Sequence, residues 1–535
     1  MRSYLENLSD NIIIDKEKCI FCGKCVDSCV CDNLRLKLAP CRNACPLGVN
    51  CHGYVQLIAR NEFDRALDLI EEDLPFPRVI GRICHHPCEE ACERLKVDEH
   101  PVALRALKRF LADQFDSKIP EGNDNTSYRP EKIAVVGGGP AGATASYYLR
   151  RSGYGVDIFE AGYRLGGMTT SCVPEFRLPS EIALREYNKL EKMGVKINYN
   201  CKVGTNVSLK ELMNEYHSVI ISVGCQKSKQ LGLEGEESPN VFQALDFLQS
   251  AKNMNTLKIG RRVVVIGGGN TAVDAAQTAY RLGADEVRIV CLEKREEMPI
   301  FIDELKDAME EGIIIENGWG PDYFEIENNL VTGIHLKRCI SVFDDKGGFQ
   351  PIYENGEKRY FPVDTVIIAI GQEPDTAFQN STKNEIDFSK VNPITLQIDS
   401  SKVFAAGDIV TGPKTVIDAM AQGRDVVESI DRFLKGQPMT YGRFCAEGFE
   451  TDFPVDISKA ESIPRVMPSK INLSSRRNFE EIEKTITKEQ AIKESARCLS
   501  CGEPHGKFRN CWQCLACEVE CPEQALYVEV PYLMK

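Results

Sequence analysis

The sequence has no apolar run approaching the roughly 18 residues needed to cross a bilayer. Its opening stretch, MRSYLENLSDN, lacks the apolar core of a secretory signal. Positive charge is in deficit, with 65 Lys and Arg against 79 Asp and Glu and a formal net charge of -14. That balance argues against general affinity for nucleic acid or anionic membranes, and a cytoplasmic protein is expected. No constellation of side chains marks a nucleophile, and no segment supplies a separate substrate barrel. The middle of the chain is poor in cysteine. Its six scattered thiols (Cys172, Cys201, Cys225, Cys291, Cys339 and Cys445) are expected to be buried packing.

The ends are the opposite. Of 23 cysteines, eleven lie between Cys19 and Cys92 and six between Cys498 and Cys521. In a cytosolic setting such clusters mean metal or redox chemistry rather than disulfides. Cys19, Cys22, Cys25 and Cys29 follow C-x2-C-x2-C-x3-C, the spacing that wraps a loop around an iron–sulfur cubane and often offsets the fourth thiolate to a second cluster. Zinc sites more often show two separated C-x2-C pairs. Val30 stands where ferredoxins have proline, so Cys29 and Cys31 compete for the fourth place. Cys511, Cys514, Cys517 and Cys521 repeat the spacing with Pro522 present, and Trp512 is expected to shield the site from water.

A second cysteine region spans 39–115. Cys41, Cys45 and Cys51 precede a helical pattern over 52–72, and Cys84, Cys88 and Cys92 precede an amphipathic helix over 101–115. His52, His85 and His86 lie among them, and a role beside the ligands is expected rather than ligation. Residues 116–131 read as a polar linker. Near the tail, Thr487 and Gln490 form a capping-box signal for a helix running into Cys498 and Cys501.

Between the ends lie two nucleotide signatures. KIAVVGGGPAG sets Gly137, Gly139 and Gly142 at G-x-G-x-x-G spacing after a short apolar strand. The first glycine makes the turn, the second admits a pyrophosphate, and the third lets helix pack on strand. Pro140 suits the first helical turn, whose free N–H groups face an anion. Glu160 closes the next strand, where a carboxylate can accept from ribose hydroxyls. RRVVVIGGGNTAVDAA repeats the pattern at Gly267 and Gly269, entering its helix through Asn270 and Thr271. Glu293 ends the following strand and favours NAD(H). Lys294 and Arg295 beside it could accept the 2′-phosphate of NADP instead, and the balance leans to NAD. The strand 363–371 ends at Gly371. Residues 403–423 give a strand, Gly407-Asp408 and a helix starting near Thr415, suited to a ribityl hydroxyl and a reduced isoalloxazine. No C-x2-C pair follows either fold, which disfavours a dithiol mechanism. The chain order nests the second nucleotide domain inside the first.

Taken in order, GRICHHPCEEAC, PVALRALKRFLAD, VVGGGPAG, PEFRLP, IGGGNTAVDAA, EEMP, AIGQEPD, AAGD and ARCLSCG resemble the glutamate synthase small-subunit-like family over roughly residues 39–502. The resemblance implies FAD held by Gly137, Gly139, Gly142, Glu160, Arg164, Gly167 and Asp408. It implies NAD(P)H near Gly267, Gly269, Asn270 and Thr271. It also implies one or two clusters drawing on Cys41, Cys45, Cys84, Cys88 and Cys92. Leu36 to Pro40 stand where the family carries a C-x2-C pair, so Cys41 and Cys92 either share one cluster or borrow from the 19–31 run.

The expected fold is α/β, with two nested Rossmann-like domains behind a helical iron–sulfur domain and ferredoxin-like segments at the flanks. The expected divisions are 1–38, 39–115, the linker 116–131, 132–256, 257–365, 366–437 and 438–535. The expected activity is electron transfer among NAD(P)H, FAD and three to four 4Fe-4S clusters, and the resemblance implies a ferredoxin, hydrogenase, formate dehydrogenase or aldehyde-oxidising partner. An electron-input subunit of glutamate synthase and a non-catalytic iron–sulfur scaffold are the rivals.

Overall fold

The computed structural model describes residues 12–30, 32–116, 129–253, 257–376, 387–443, 449–458, 460–506, 511 and 513–529. Cys31, Cys445, Trp512 and most of the 116–131 linker lie outside them.

Two parallel five-stranded sheets form the centre. The first has the order Val403–Ala405, Ser218–Ile221, Lys132–Val136, Gly155–Phe159, Lys196–Asn198. Ile133 through Val136 and Val219 through Ile221 are all buried, as strands covered on both faces must be. The second sheet has the order Ile314–Asn317, Glu286–Cys291, Arg262–Ile266, Thr365–Ile368, Val241–Gln243. It is built between Ile221 and Val403 of the first sheet, so one nucleotide fold is nested within the other. Two of its strands, Thr365–Ile368 and the edge strand Val241–Gln243, reach beyond the two ends of 257–365. Long strands (Trp319–Glu327, Leu330–Phe343 and Phe349–Pro362) make a three-stranded antiparallel sheet.

Helix Pro140–Arg151 packs on helix Val416–Leu434 at Gly423, where a Cβ would stand 2.3 Å from the Ala141 carbonyl oxygen. This contact carries the last helix back onto the first glycine turn.

The region 39–115 folds as helices Cys51–Ala59, Phe63–Asp73, Pro77–Ile83 and Leu104–Gln114, sharing a continuous apolar core with the first sheet. The tail straps it. Arg497, with no exposed surface, donates to the carbonyls of Ile463, Pro101 and His100 at 2.8, 2.8 and 2.7 Å and pairs with Glu494 and Asp98. The capping box closes as expected, with Gln490 N–H donating to Thr487 Oγ1. The helix Lys488–Ser495 thus delivers Cys498 and Cys501 to the helical domain.

The two ends were expected as separate segments. They meet instead. Strand Ile12–Ile14 pairs antiparallel with Leu526–Val528, and Leu34–Lys37 takes Phe449–Glu450 and Pro504–Gly506 on its two edges. Leu34, Leu526 and Val528 bury a small core between the motifs, which neither end has enough apolar surface to make alone. Among the described residues no helix is long and apolar enough to cross a membrane.

Candidate redox site: a nucleotide cleft and four groups of thiols

Both glycine turns open into one cleft of about 880 Å³. Gly137, at φ +96°, makes the first turn, and a Cβ there would meet the Ser222 carbonyl oxygen at 2.6 Å. Gly139 caps helix Pro140–Arg151 and faces Gly167 across the cleft wall, where its own Cβ would lie 3.9 Å from the Gly167 Cα. Glu160 Oε2 accepts from Gly138 N–H and Oε1 from Gly162 N–H, each at 2.7 Å, which fixes the carboxylate at the rim. Arg164 packs over Tyr163 and donates to Asn253 Oδ1 at 3.1 Å. Burial lifts the Asp408 carboxyl to about 6, opposed by a hydrogen bond from Lys414 N–H. Thr415 caps the 19-residue helix Val416–Leu434 through a reciprocal pair with Asp418, so the positive end of that helix faces the cleft. Pro140, Gly269, Asn270, Thr271 and Gly407 complete the wall.

Five expected residues stand behind this wall. Gly142 backs onto Gly137, whose carbonyl oxygen a Cβ would meet at 2.0 Å, and Gly267 backs onto the Ala369 carbonyl oxygen at 2.2 Å. Glu293 sits under Gly268 as Glu160 sits under Gly138, and burial raises its pKa. Arg295 turns to Met309 Sδ, and Gly371 accepts from Lys229 N–H. Conversely Cys172, Cys201 and Cys225 line the cleft, where only packing was expected. All described cysteines are free.

The thiols fall into four groups. Cys19, Cys22 and Cys25 share a small cavity with Cys521, from the other end of the chain. Cys511, Cys514 and Cys517 share another with Cys29. The fourth cysteine of each motif lines its partner's cavity, and Cys31, the competitor of Cys29, lies outside the described residues. A third cavity is lined by Cys41, Cys92, Cys498 and Cys501, with Cys51 also on its wall, so the tail pair is brought to the helical domain. The fourth group, Cys45, Cys51, Cys84 and Cys88, surrounds the buried Lys108 ammonium. Cys51 was not singled out as a ligand in the sequence. It stands outside any motif spacing, and only the count of four thiols per group could have found it. It touches Cys88 on one side and Cys41 on the other.

These donor sets suit iron–sulfur clusters. Backbone N–H groups point at sulfur: Phe21 to Cys19, Asn33 to Cys29, His86 to Cys84, Gln513 to Cys511 and Ala525 to Cys521, at 3.2–3.4 Å. Burial raises Cys19 and Cys84 to about 11, and Cys25 and Cys501 to about 12, with neighbouring thiolates adding to the rise. Such thiolates need a compensating cation to coexist. Among the described residues no three Cys, His, Asp or Glu side chains are set to hold a single ion, while three of the four thiol groups line cavities.

The groups are linked to the cleft. Asn270 Oδ1, on the second glycine turn, accepts from Phe301 N–H at 3.0 Å. Phe301 stacks on His85 at 5.0 Å between centroids, and His85 adjoins Cys84.

A nested pair of dinucleotide folds fused to a thiol-rich helical domain defines a pyridine-nucleotide-linked flavin and iron–sulfur oxidoreductase. The chain belongs to the pyridine nucleotide-disulphide oxidoreductase family, whose model matches residues 131–423, and residues 4–119 match the dihydropyrimidine dehydrogenase domain II, 4Fe-4S cluster model. It is 35% identical over 432 residues to the NADP(+)-dependent formate dehydrogenase subunit beta of Moorella thermoacetica, covering 74% of this chain and 60% of that protein. It is 32% identical over 506 residues to the NADPH-Fe(3+) oxidoreductase subunit beta of Geobacter sulfurreducens, covering 86% and 75%. It is 32% identical over 404 residues to the NAD-dependent dihydropyrimidine dehydrogenase subunit PreT of Escherichia coli, covering 74% and 92%. Among solved structures, FprA from Mycobacterium tuberculosis shares the fold, with a TM-score of 0.50 and 21% identity over 58% of this chain and 85% of that one.

Proposed function

We propose that this chain is the nicotinamide-handling subunit of a larger redox complex, in which FAD sits between NAD(H) and four 4Fe-4S clusters. The observation that carries the reading is the run of contacts from Asn270, on the wall of the cleft that both glycine turns share, through Phe301 to His85, the chain neighbour of Cys84. When bound, the flavin exchanges a hydride with nicotinamide and single electrons with the clusters.

The chain's residues bind and orient. Gly137, Gly139, Pro140, Gly142, Glu160, Arg164, Gly167, Gly407, Asp408 and Thr415 serve FAD. Gly267, Gly269, Asn270, Thr271, Glu293, Arg295 and Gly371 serve the nicotinamide nucleotide. The four thiol groups each hold one cluster. Segments 1–38 and 438–535 work as one ferredoxin-like unit with 39–115 between it and the flavin. The domain formed by 132–256 and 366–437 binds FAD, that of 257–365 binds the nicotinamide nucleotide, and 116–131 is a linker.

NAD is preferred because Glu293 lies under Gly268 in the place Glu160 takes under Gly138. The formate dehydrogenase and Fe(3+) oxidoreductase relatives are NADP(H)-dependent by name, which favours NADP, the PreT relative is NAD-dependent, and the preference for NAD rests on Glu293 alone. Those names are names of subunits, which supports a partner chain carrying the substrate chemistry. The order of motifs supports the finer kinship to glutamate synthase small subunits.

The test is an anaerobic visible spectrum of the purified chain. Flavin bleached by NADH, faster than by NADPH, supports the reading. Well-folded protein without flavin overturns it.

A further inference from the structure

The ferredoxin-like unit meets the helical domain at one tightly built junction. His52 is 2% exposed and lies flat on Phe21, with ring centroids 3.6 Å apart and planes 16° apart. Phe21 is held in the left-handed region at φ +54°, a conformation that a bulky residue adopts only when its surroundings impose it. Three further contacts impose it. Arg42 donates to the Phe21 carbonyl at 3.0 Å, and Asn50 donates to the Ile20 carbonyl at 2.8 Å. At Gly53 a Cβ would stand 2.6 Å from that same Ile20 oxygen, so the loop seats against bare backbone.

The ring of His52 is otherwise out of place. Neither imidazole nitrogen makes a hydrogen bond of normal geometry, although the backbone of Cys501 lies beside the ring. A buried, unpartnered polar side chain is costly and calls for a ligand. His52 also lines the cavity of Cys41, Cys92, Cys498 and Cys501, while Phe21 lines that of Cys19, Cys22, Cys25 and Cys521.

We infer that His52 is a positioning residue between two clusters: its imidazole hydrogen-bonds the cluster held by Cys41, Cys92, Cys498 and Cys501, and its stack on Phe21 sets the path to the cluster held by Cys19, Cys22, Cys25 and Cys521. This rests on the proposed function. One electron crosses the stack in either direction. The cluster it leaves is oxidised, the cluster it reaches is reduced, and no proton or bond to His52 changes. A hydrogen bond toward the first cluster stabilises its reduced, more negative form and raises its potential.

The test is a potentiometric titration followed by electron paramagnetic resonance on the full chain, wild type against His52→Leu and His52→Gln, with iron and flavin counted in each. In His52→Leu one cluster signal shifts to lower potential, changing the electron's distribution between the two clusters by about tenfold, the worth of one hydrogen bond to a charged group. His52→Gln, which still donates, restores most of the shift. Iron, flavin and the bleaching of flavin by NADH stay at wild-type levels in both. Unchanged potentials in His52→Leu overturn the inference. So does a loss of iron equal to one cluster in both variants, which would make His52 a ligand or a purely structural prop. Phe21→Leu keeps the test open if His52→Leu misfolds: it leaves the potentials in place and slows the reduction of the outer clusters by NADH. Wild-type protein without flavin or iron overturns the proposed function itself, and this inference with it.

Discussion

The nucleotide cleft and the thiol groups are built by opposite rules. Each half of the cleft comes from one continuous strand, turn and helix: Lys132 to Arg151 for the first, Arg262 to Arg281 for the second. Three of the four thiol groups draw on segments more than 400 positions apart, as when Cys521 joins Cys19 or Cys501 joins Cys41. A local motif tolerates separation of its neighbours. A shared cavity does not, so damage at one end of this chain must be felt at the other.

Removing residues 511–535 breaks the comparison most directly. Independent ends would lose about four iron atoms per chain. Crossed ligands lose about eight, because the site of Cys19, Cys22 and Cys25 goes with Cys521. Iron analysis of the truncated chain reads the difference.

The strap comes next. Arg497→Met leaves Glu494 without its buried ionic partner, while Asp98 keeps Arg94, and is expected to cost about 3–5 kcal/mol. Thermal unfolding would fall accordingly, with iron lost from the group of Cys498 and Cys501 and flavin retained.

The cleft offers a matched pair. Gly142→Ala forces a Cβ to within 2.0 Å of the Gly137 carbonyl oxygen, and an overpacking cost of about 1–3 kcal/mol is expected, together with weaker flavin retention. At Gly269 nothing lies within 4 Å of a Cβ. Gly269→Ala is expected to leave stability unchanged and to raise the KM for the nicotinamide nucleotide, whose pyrophosphate needs that space. The smallest effect is at Glu293. Glu293→Gln is expected to move the NADH-to-NADPH preference by about tenfold toward NADPH, read as the ratio of kcat/KM values.

What could be read from the sequence follows the same division. The strands ending at Gly137 and Gly267, the helix from Thr415 and the capping box at Thr487 were legible because each depends on neighbours a few positions away. The spacing of Cys19, Cys22, Cys25 and Cys29 marked a cluster motif for the same reason. It pointed to an offset fourth thiolate but not to the motif whose cavity Cys29 lines, since that depends on pairing Ile12–Ile14 with Leu526–Val528. Cys51 was missed because its partners, Cys45, Cys84 and Cys88, converge only when helices Cys51–Ala59 and Leu104–Gln114 pack around Lys108. The placement of Glu293 and Arg295 behind the cleft wall likewise follows from the turn after Cys291, which no spacing rule encodes.

The central claim is that one flavin feeds four thiol-held clusters in a single chain. Counting iron, acid-labile sulfide and flavin in the anaerobically purified full chain, before and after reduction by NADH, tests it most directly. The account predicts about sixteen iron atoms per flavin, with cluster signals appearing as the flavin bleaches. Stoichiometric zinc with iron near zero, or iron present with no response to NADH or NADPH, would contradict it.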